Sequence, residues 1–186
     1  MKSDKIYLDQ YYHILNRGNE KQVLFYSREN YLFFLKRLNF AIDKYGAEII
    51  CYCLMPNHFH LIIKEIFDGS ISKTMLSLQT SYAKAINKQC ARIGHLFQDS
   101  YQFILVERNE YLLHLSRYIH LNPVMARLVE DPEDWEFSSY RDFVGLRNGR
   151  LPNSEIVLSQ FQDRSAYRDF VIDGKNEKVL GKLTLE

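Results

Sequence analysis

The chain has 186 residues, 46% hydrophobic and 25% charged, an ordinary composition for a soluble globular protein and enough for one domain with a sizeable core. Lys and Arg number 24 against 23 Asp and Glu, a net charge of +1, so the overall basic excess typical of nucleic-acid binders is absent and any such binding must come from local clustering. The three cysteines, Cys51, Cys53 and Cys90, make no disulfide framework; the start "MKSDKIYLDQYYH" has no long apolar core of a secretory signal, and no stretch approaches the roughly 20 apolar residues of a membrane span, so an intracellular, soluble protein is expected.

"YYHILNRG", Tyr11 to Gly18, is rich in β-formers and stops at a glycine, which predicts a strand. "SRENYLFFLKRLNFAIDKYG" predicts a helix: Ser27 caps it, Leu32, Leu35, Leu38 and Ile42 recur at helical spacing, and Gly46 ends it. "AEIICYCLM" and "HFHLIIKE" read as two strands, with the turn signal "PN" between them. "DGSISKTMLSLQTSYAKAINKQCARIG" reads as a second helix, with a capping serine and a stop at Gly94. Lys84, Lys88 and Arg92 fall on it at i, i+4 and i+8, one basic stripe that is either a DNA phosphate contact or a plain solvated face. "HLFQDSYQFILVE" is a fourth extended segment. "NEYLLHLSRYIHLNPVMARLV" is a third helix with Asn109 as its cap, and Pro123 should end or kink it after Leu121 or Asn122.

This order predicts an α+β fold: a ferredoxin-like (split βαβ) antiparallel sheet with one helix added at its C-terminal side. Residues 1–150 form the predicted domain. Within them "DWEFSSYRDFVGLRNG" is expected to pack through Trp135 and Phe137, and residues 151–186 are an extension to which the sequence assigns no role.

Inside the third strand, "CLMPNHFHLIIK" sets His58 and His60 in alternate positions. Residues i and i+2 of a strand share a face, and two imidazoles side by side in an apolar strand point to a ligand, most simply a metal. Two completions compete with the plain alternative of hydrogen-bonded core histidines. In one, Cys51 and Cys53 make a C-x-C-x4-H-x-H zinc site across the hairpin, Cys53 lying opposite His60 if Pro56 and Asn57 form the loop. In the other, the third helix completes the site. Leu112, Leu115 and Ile119 form its apolar stripe at about 100° per residue, and Tyr118 and Asn122, at i and i+4, share a face at the stripe's edge. Two imidazoles, an amide oxygen and open positions suit Mg²⁺ or Mn²⁺ on a phosphate substrate.

"MPNHFHLIIK" resembles the HUH signature, histidine–bulky hydrophobe–histidine. "EYLLHLSRYIHLNPV", with "GHLFQDSYQ" and "WEFSSYRDFVG", is similar to the REP-associated tyrosine transposases, relatives of the single-tyrosine transposases of bacterial insertion sequences. The likeness runs from about Tyr12 to Gly145. It implies a ferredoxin-like sheet with a catalytic added helix, and single-stranded DNA folded into hairpins at imperfect palindromes as the partner. It implies His58, His60 and Asn122 as ligands of Mg²⁺ or Mn²⁺, and Tyr118 as the nucleophile that forms a 5′-phosphotyrosine. A bacterial cytoplasmic location follows from the same likeness, with the protein on the nucleoid when bound to DNA. Relatives of insertion-sequence type are homodimers that exchange the catalytic helix, whereas REP-associated members can act as monomers, so both states are open. Two other functions compete: a regulator that holds DNA hairpins without cutting them, and a zinc-stabilised structural module.

Overall fold

The alternation of side chains along four strands gives the sheet two apolar faces, and each face is covered by a different set of helices. The computed structural model describes residues 5–176. Its strands are β1 (Tyr11–Arg17), β2 (Glu48–Met55), β3 (His58–Lys64) and β4 (Gln102–Leu105), all antiparallel in the order β2-β3-β1-β4. The long helices are α1 (Arg28–Tyr45), α2 (Ser70–Gln89) and α3 (Asn109–Met125); α4 (Tyr140–Phe143), α5 (Glu155–Leu158) and α6 (Arg164–Asp173) follow. The expected ferredoxin-like α+β architecture with an added helix is present.

One face carries Tyr12, Ile14, Tyr52, Leu54, Phe59, Leu61 and Ile63, packed against Phe34 and Leu38 of α1 and Met75, Leu78 and Tyr82 of α2. The other carries Cys51, Cys53, Met55 and Ile62 under Leu112, Leu115 and Ile119 of α3, with Val157 of α5 and Tyr167 and Val171 of α6 in the same cluster. A β-bulge between Ile49 and Cys51 puts Ile50 and Cys51 together on that second face. Residues 155–173, for which the sequence suggested no role, thus bury side chains in the core beneath α3. Residues 177–186 of the predicted extension lie outside the described residues.

Local chemistry explains the boundaries. Ser27 caps α1, and Gly46, at φ 71°, ends it in the left-handed region open to glycine. The start of α2 is satisfied differently from the expected serine cap. Gly69 occupies the cap position, and the buried Glu65 carboxylate accepts from the Gly69 and Ile71 amides at 2.6 and 2.7 Å and from the Ser70 hydroxyl at 2.9 Å. A carboxylate is well placed at the positive end of a helix. The same helix stops at Gln89 rather than Gly94, and Ala91 takes a positive φ of 50°. Helix α3 runs through Pro123 to Met125; in the last turn a proline removes one helical donor, and the turn survives it. Trp135 and Phe137 pack as expected, on Tyr31 and each other. Segment 137–139 also bonds the edge of β2, through Leu54 N to Phe137 O and Ser139 N to Tyr52 O, both 2.9 Å, which closes an otherwise open strand edge.

Candidate metal and nucleophile site

The loop between β2 and β3 is Pro56-Asn57, and the chain around it is anchored. The Gly18 amide donates to Asn57 O at 2.8 Å, and the Leu24 amide to Pro56 O at 2.8 Å. A Cβ on Gly18 would meet Gln22 O at 2.1 Å, so this close approach requires glycine. The turn therefore presents His58 and His60 on β3 from a braced base, both on the α3 side of the sheet.

Helix α3 crosses that face and brings its own pair. The Tyr118 ring stands edge-on to His60, centroids 5.7 Å apart, and Tyr118 is 5% exposed. The Asn122 amide nitrogen donates to Tyr118 O at 3.0 Å. A backbone carbonyl only accepts, so this bond leaves Oδ1 of Asn122 for other partners, and Asn122 lies within hydrogen-bonding reach of His58. His58, His60, Tyr118 and Asn122 are thus gathered in one place, all from one chain.

Each histidine has a bonded Nδ1. His58 Nδ1 lies 2.7 Å from Asn57 Oδ1, whose own amide nitrogen donates to Lys21 O at 3.2 Å. His60 Nδ1 lies 2.9 Å from Nε2 of His13, a third, fully buried histidine on β1, and the two rings stack with centroids 5.1 Å apart. His60 Nε2 is buried with no hydrogen-bond partner among the described residues. Burial lowers the pKa of His58 to about 4, with the Arg17 charge adding to the fall and Asn122 opposing it. Burial pushes His60 well below its usual value and His13 down to about 3. The imidazoles are therefore neutral near pH 7, the form that ligates metals. Arg17 pairs with His58 across β1 and β3 and puts a cation at the site's rim. Neither Arg17 nor His13 was singled out from the sequence; the one available signal for His13 was a histidine alternating with Tyr12 and Ile14 in an apolar strand.

The zinc arrangement does not form. Register does place Cys53 opposite His60, yet the two pairs part company. The cysteines are fully buried in the apolar cluster beneath α3, Cys53 with Sγ 3.8 Å from Met55 Sδ, while the histidines engage Asn57, His13 and the Tyr118 ring. Among the described residues no group of three or more His, Cys, Asp or Glu side chains could hold a metal. Burial pushes both thiols up.

The predicted basic stripe is also broken. Lys84 and Lys88 are exposed on α2, but Arg92 lies beyond the end of that helix, partly buried, with its guanidinium 2.7 Å from the Tyr26 hydroxyl. Extending the helix to Gly94 had put it in line. The two lysines lie on the opposite side of the sheet from Tyr118, since α2 covers the other face. His120, the nearest histidine to Tyr118 in sequence, points away from it, bonding Tyr167 and Ser139 at 2.7 and 2.9 Å in the core.

This arrangement can be set beside known proteins. A solved structure described as a REP-associated tyrosine transposase bound to a REP hairpin has the same fold, with a TM-score of 0.63, 19% identity, and 78% of this chain and 86% of that one covered. A candidate transposase from Deinococcus radiodurans R1 is more distant, with a TM-score of 0.44, 22% identity, and 64% and 95% covered. No curated protein matches the sequence. The sequence family described as "Transposase IS200 like" matches residues 7–122, from just before β1 to Asn122 itself. That span is well over half of the chain and holds all four side chains of the site, and the chain belongs to the IS200-like transposase family.

Proposed function

We propose that this chain is a divalent-metal-dependent single-stranded DNA endonuclease and strand transferase of the REP-associated kind, cutting near palindromic hairpin repeats through a 5′-phosphotyrosine on Tyr118. The observation that carries this reading is the meeting of His58 and His60 with Tyr118 and Asn122, two pairs from separate parts of the chain. The residues fit a divalent cation: a buried His60 Nε2 without a partner, a His58 whose Nδ1 is already bonded, and an amide oxygen. His58, His60 and Asn122 would hold Mg²⁺ or Mn²⁺, which when bound supplies positive charge to the scissile phosphate.

The protein's own groups do the rest. The Tyr118 oxygen attacks phosphorus, the bond to the 3′ oxygen breaks, and that oxygen leaves as a 3′-hydroxyl carrying the proton the phenol loses. The 5′ phosphate stays on Tyr118, and attack by another 3′-hydroxyl reverses the exchange and joins strands. Arg17 at the rim offers charge to the DNA backbone. The hairpin held by the solved structure of similar fold supports hairpin DNA as the partner. This reading places the protein in the bacterial cytoplasm.

The test is a labelled single-stranded hairpin substrate with Mn²⁺ or Mg²⁺, followed by denaturing electrophoresis. Wild type should form a covalent adduct. His58→Ala and His60→Ala should lose it yet keep hairpin binding, since phosphate contacts supply most of the affinity. Cleavage by both variants at the wild-type rate would overturn the assignment. Tight hairpin binding by wild type with no adduct in either metal would favour the non-cutting regulator.

A further inference from the structure

The two histidines differ in what their Nδ1 atoms meet. For His58 the direction of the bond is fixed. The Asn57 amide nitrogen donates to Lys21 O, so Asn57 Oδ1 is the acceptor and His58 Nδ1 carries the hydrogen. His58 Nε2 then carries a lone pair and no hydrogen, on the side where Asn122 lies. For His60 the partner is another imidazole, and a neutral imidazole can donate or accept. If His13 donates, His60 carries its hydrogen on Nε2 and has no lone pair there for a metal. If His13 accepts, His60 matches His58, with no hydrogen on either Nε2.

We propose that His13 is a positioning residue: its Nε2 accepts the Nδ1–H of His60 and so leaves the Nε2 lone pair of His60 for the divalent cation. The inference rests on the metal site proposed above. Three observations carry it. The contact is 2.9 Å between rings that are fully or almost fully buried, so neither ring can turn to water for an alternative partner. His60 Nε2 is a buried atom without a partner among the described residues, as a ligand awaiting its metal is. His13 Nδ1 is likewise unpartnered, so the pair holds two arrangements of similar cost, and a cation on His60 Nε2 selects one of them. Metal-bound histidines usually give their second ring nitrogen to a protein acceptor, and loss of that acceptor costs about 10- to 100-fold in affinity.

The test uses the full chain without DNA. Free Mn²⁺ is followed by electron paramagnetic resonance, and histidine tautomers by long-range ¹H–¹⁵N correlation with Mg²⁺ present. His13→Phe keeps a ring but offers no acceptor; it should weaken Mn²⁺ binding about 10- to 100-fold. His13→Gln, which can present an oxygen, should restore most of the affinity. In wild type with Mg²⁺, His60 should carry its hydrogen on Nδ1. Wild-type affinity in His13→Phe, while His60→Ala abolishes binding, would overturn the role of His13 alone. Unchanged binding in His60→Ala would bring down the metal site, and the role of His13 with it. A hydrogen on Nε2 of His60 in wild type with Mg²⁺ would also overturn the proposal, and that measurement needs no variant to fold.

Discussion

At the scale of single residues, two tyrosines on α3 compete for the chemistry. Tyr118 faces His60 across 5.7 Å, whereas Tyr111, two turns earlier, is half-buried against the apolar cluster beneath the helix, and burial raises its pKa. Tyr118→Phe removes one oxygen and keeps the ring, so folding and hairpin binding should stay near wild type while the covalent adduct disappears; Tyr111→Phe should still form it. Denaturing electrophoresis of both variants decides the matter, and a persistent adduct in Tyr118→Phe would put the nucleophile elsewhere.

At the scale of elements, α3 is held from behind by α6. The Tyr167 hydroxyl lies 2.7 Å from His120 Nδ1 and 3.1 Å from Ser116 Oγ, and His120 Nε2 lies 2.9 Å from Ser139 Oγ, all buried. Removing one member of such a network leaves its partners unsatisfied, at about 1–3 kcal/mol. Tyr167→Phe should lower stability by that amount in urea denaturation, and an unchanged midpoint would show that the network contributes little. Helix α2 offers a separate expectation. With Arg92 off the stripe, only Lys84 and Lys88 remain to meet phosphates. Lys84→Ala combined with Lys88→Ala should therefore reduce the salt slope of single-strand binding by at most about 2, since each neutralised phosphate adds a little under one unit. An unchanged slope assigns them to a plain solvated face.

For the whole molecule, buried neutral histidines link stability to pH. The folded chain lowers His13 and His120 from 6.5 to about 3 and His58 to about 4, mainly through burial. The unfolded chain takes up protons near the ordinary value of 6.5, so between there and about 3 it binds more of them than the folded chain does. Stability must then be greatest above about pH 6.5 and fall as the pH drops through that window. Tm at about pH 4.5 should lie below Tm at pH 7, and equal values would contradict the burial of these rings. The second core gives another whole-molecule expectation. Val157, Tyr167 and Val171 are fully buried beside α3, so a chain ending at residue 150 should lose its cooperative thermal transition.

Whatever depends on short-range periodicity was legible in the residues alone. Alternation put His58 and His60 on one face, a four-residue spacing put Tyr118 and Asn122 on one side of a helix, and the order of elements implied the sheet. Whatever depends on which strand lies beside which had to wait for the folded chain. His13 is 47 residues from His60 in sequence and reaches it only because β1 pairs antiparallel with β3 in a register that sets it diagonally across from His60. The two cysteines looked like ligands on paper because they share a face with the histidines, but packing under α3 and α6 enclosed them in apolar surroundings. Arg92 fell off its stripe because α2 stops at Gln89, short of Gly94, an event governed by local backbone geometry at Ala91 and not by charge spacing. Residues 155–173 carried too weak a pattern to be assigned; their few apolar side chains acquire meaning only against the back of α3, where Val157, Tyr167 and Val171 complete a core that the rest of the chain leaves open.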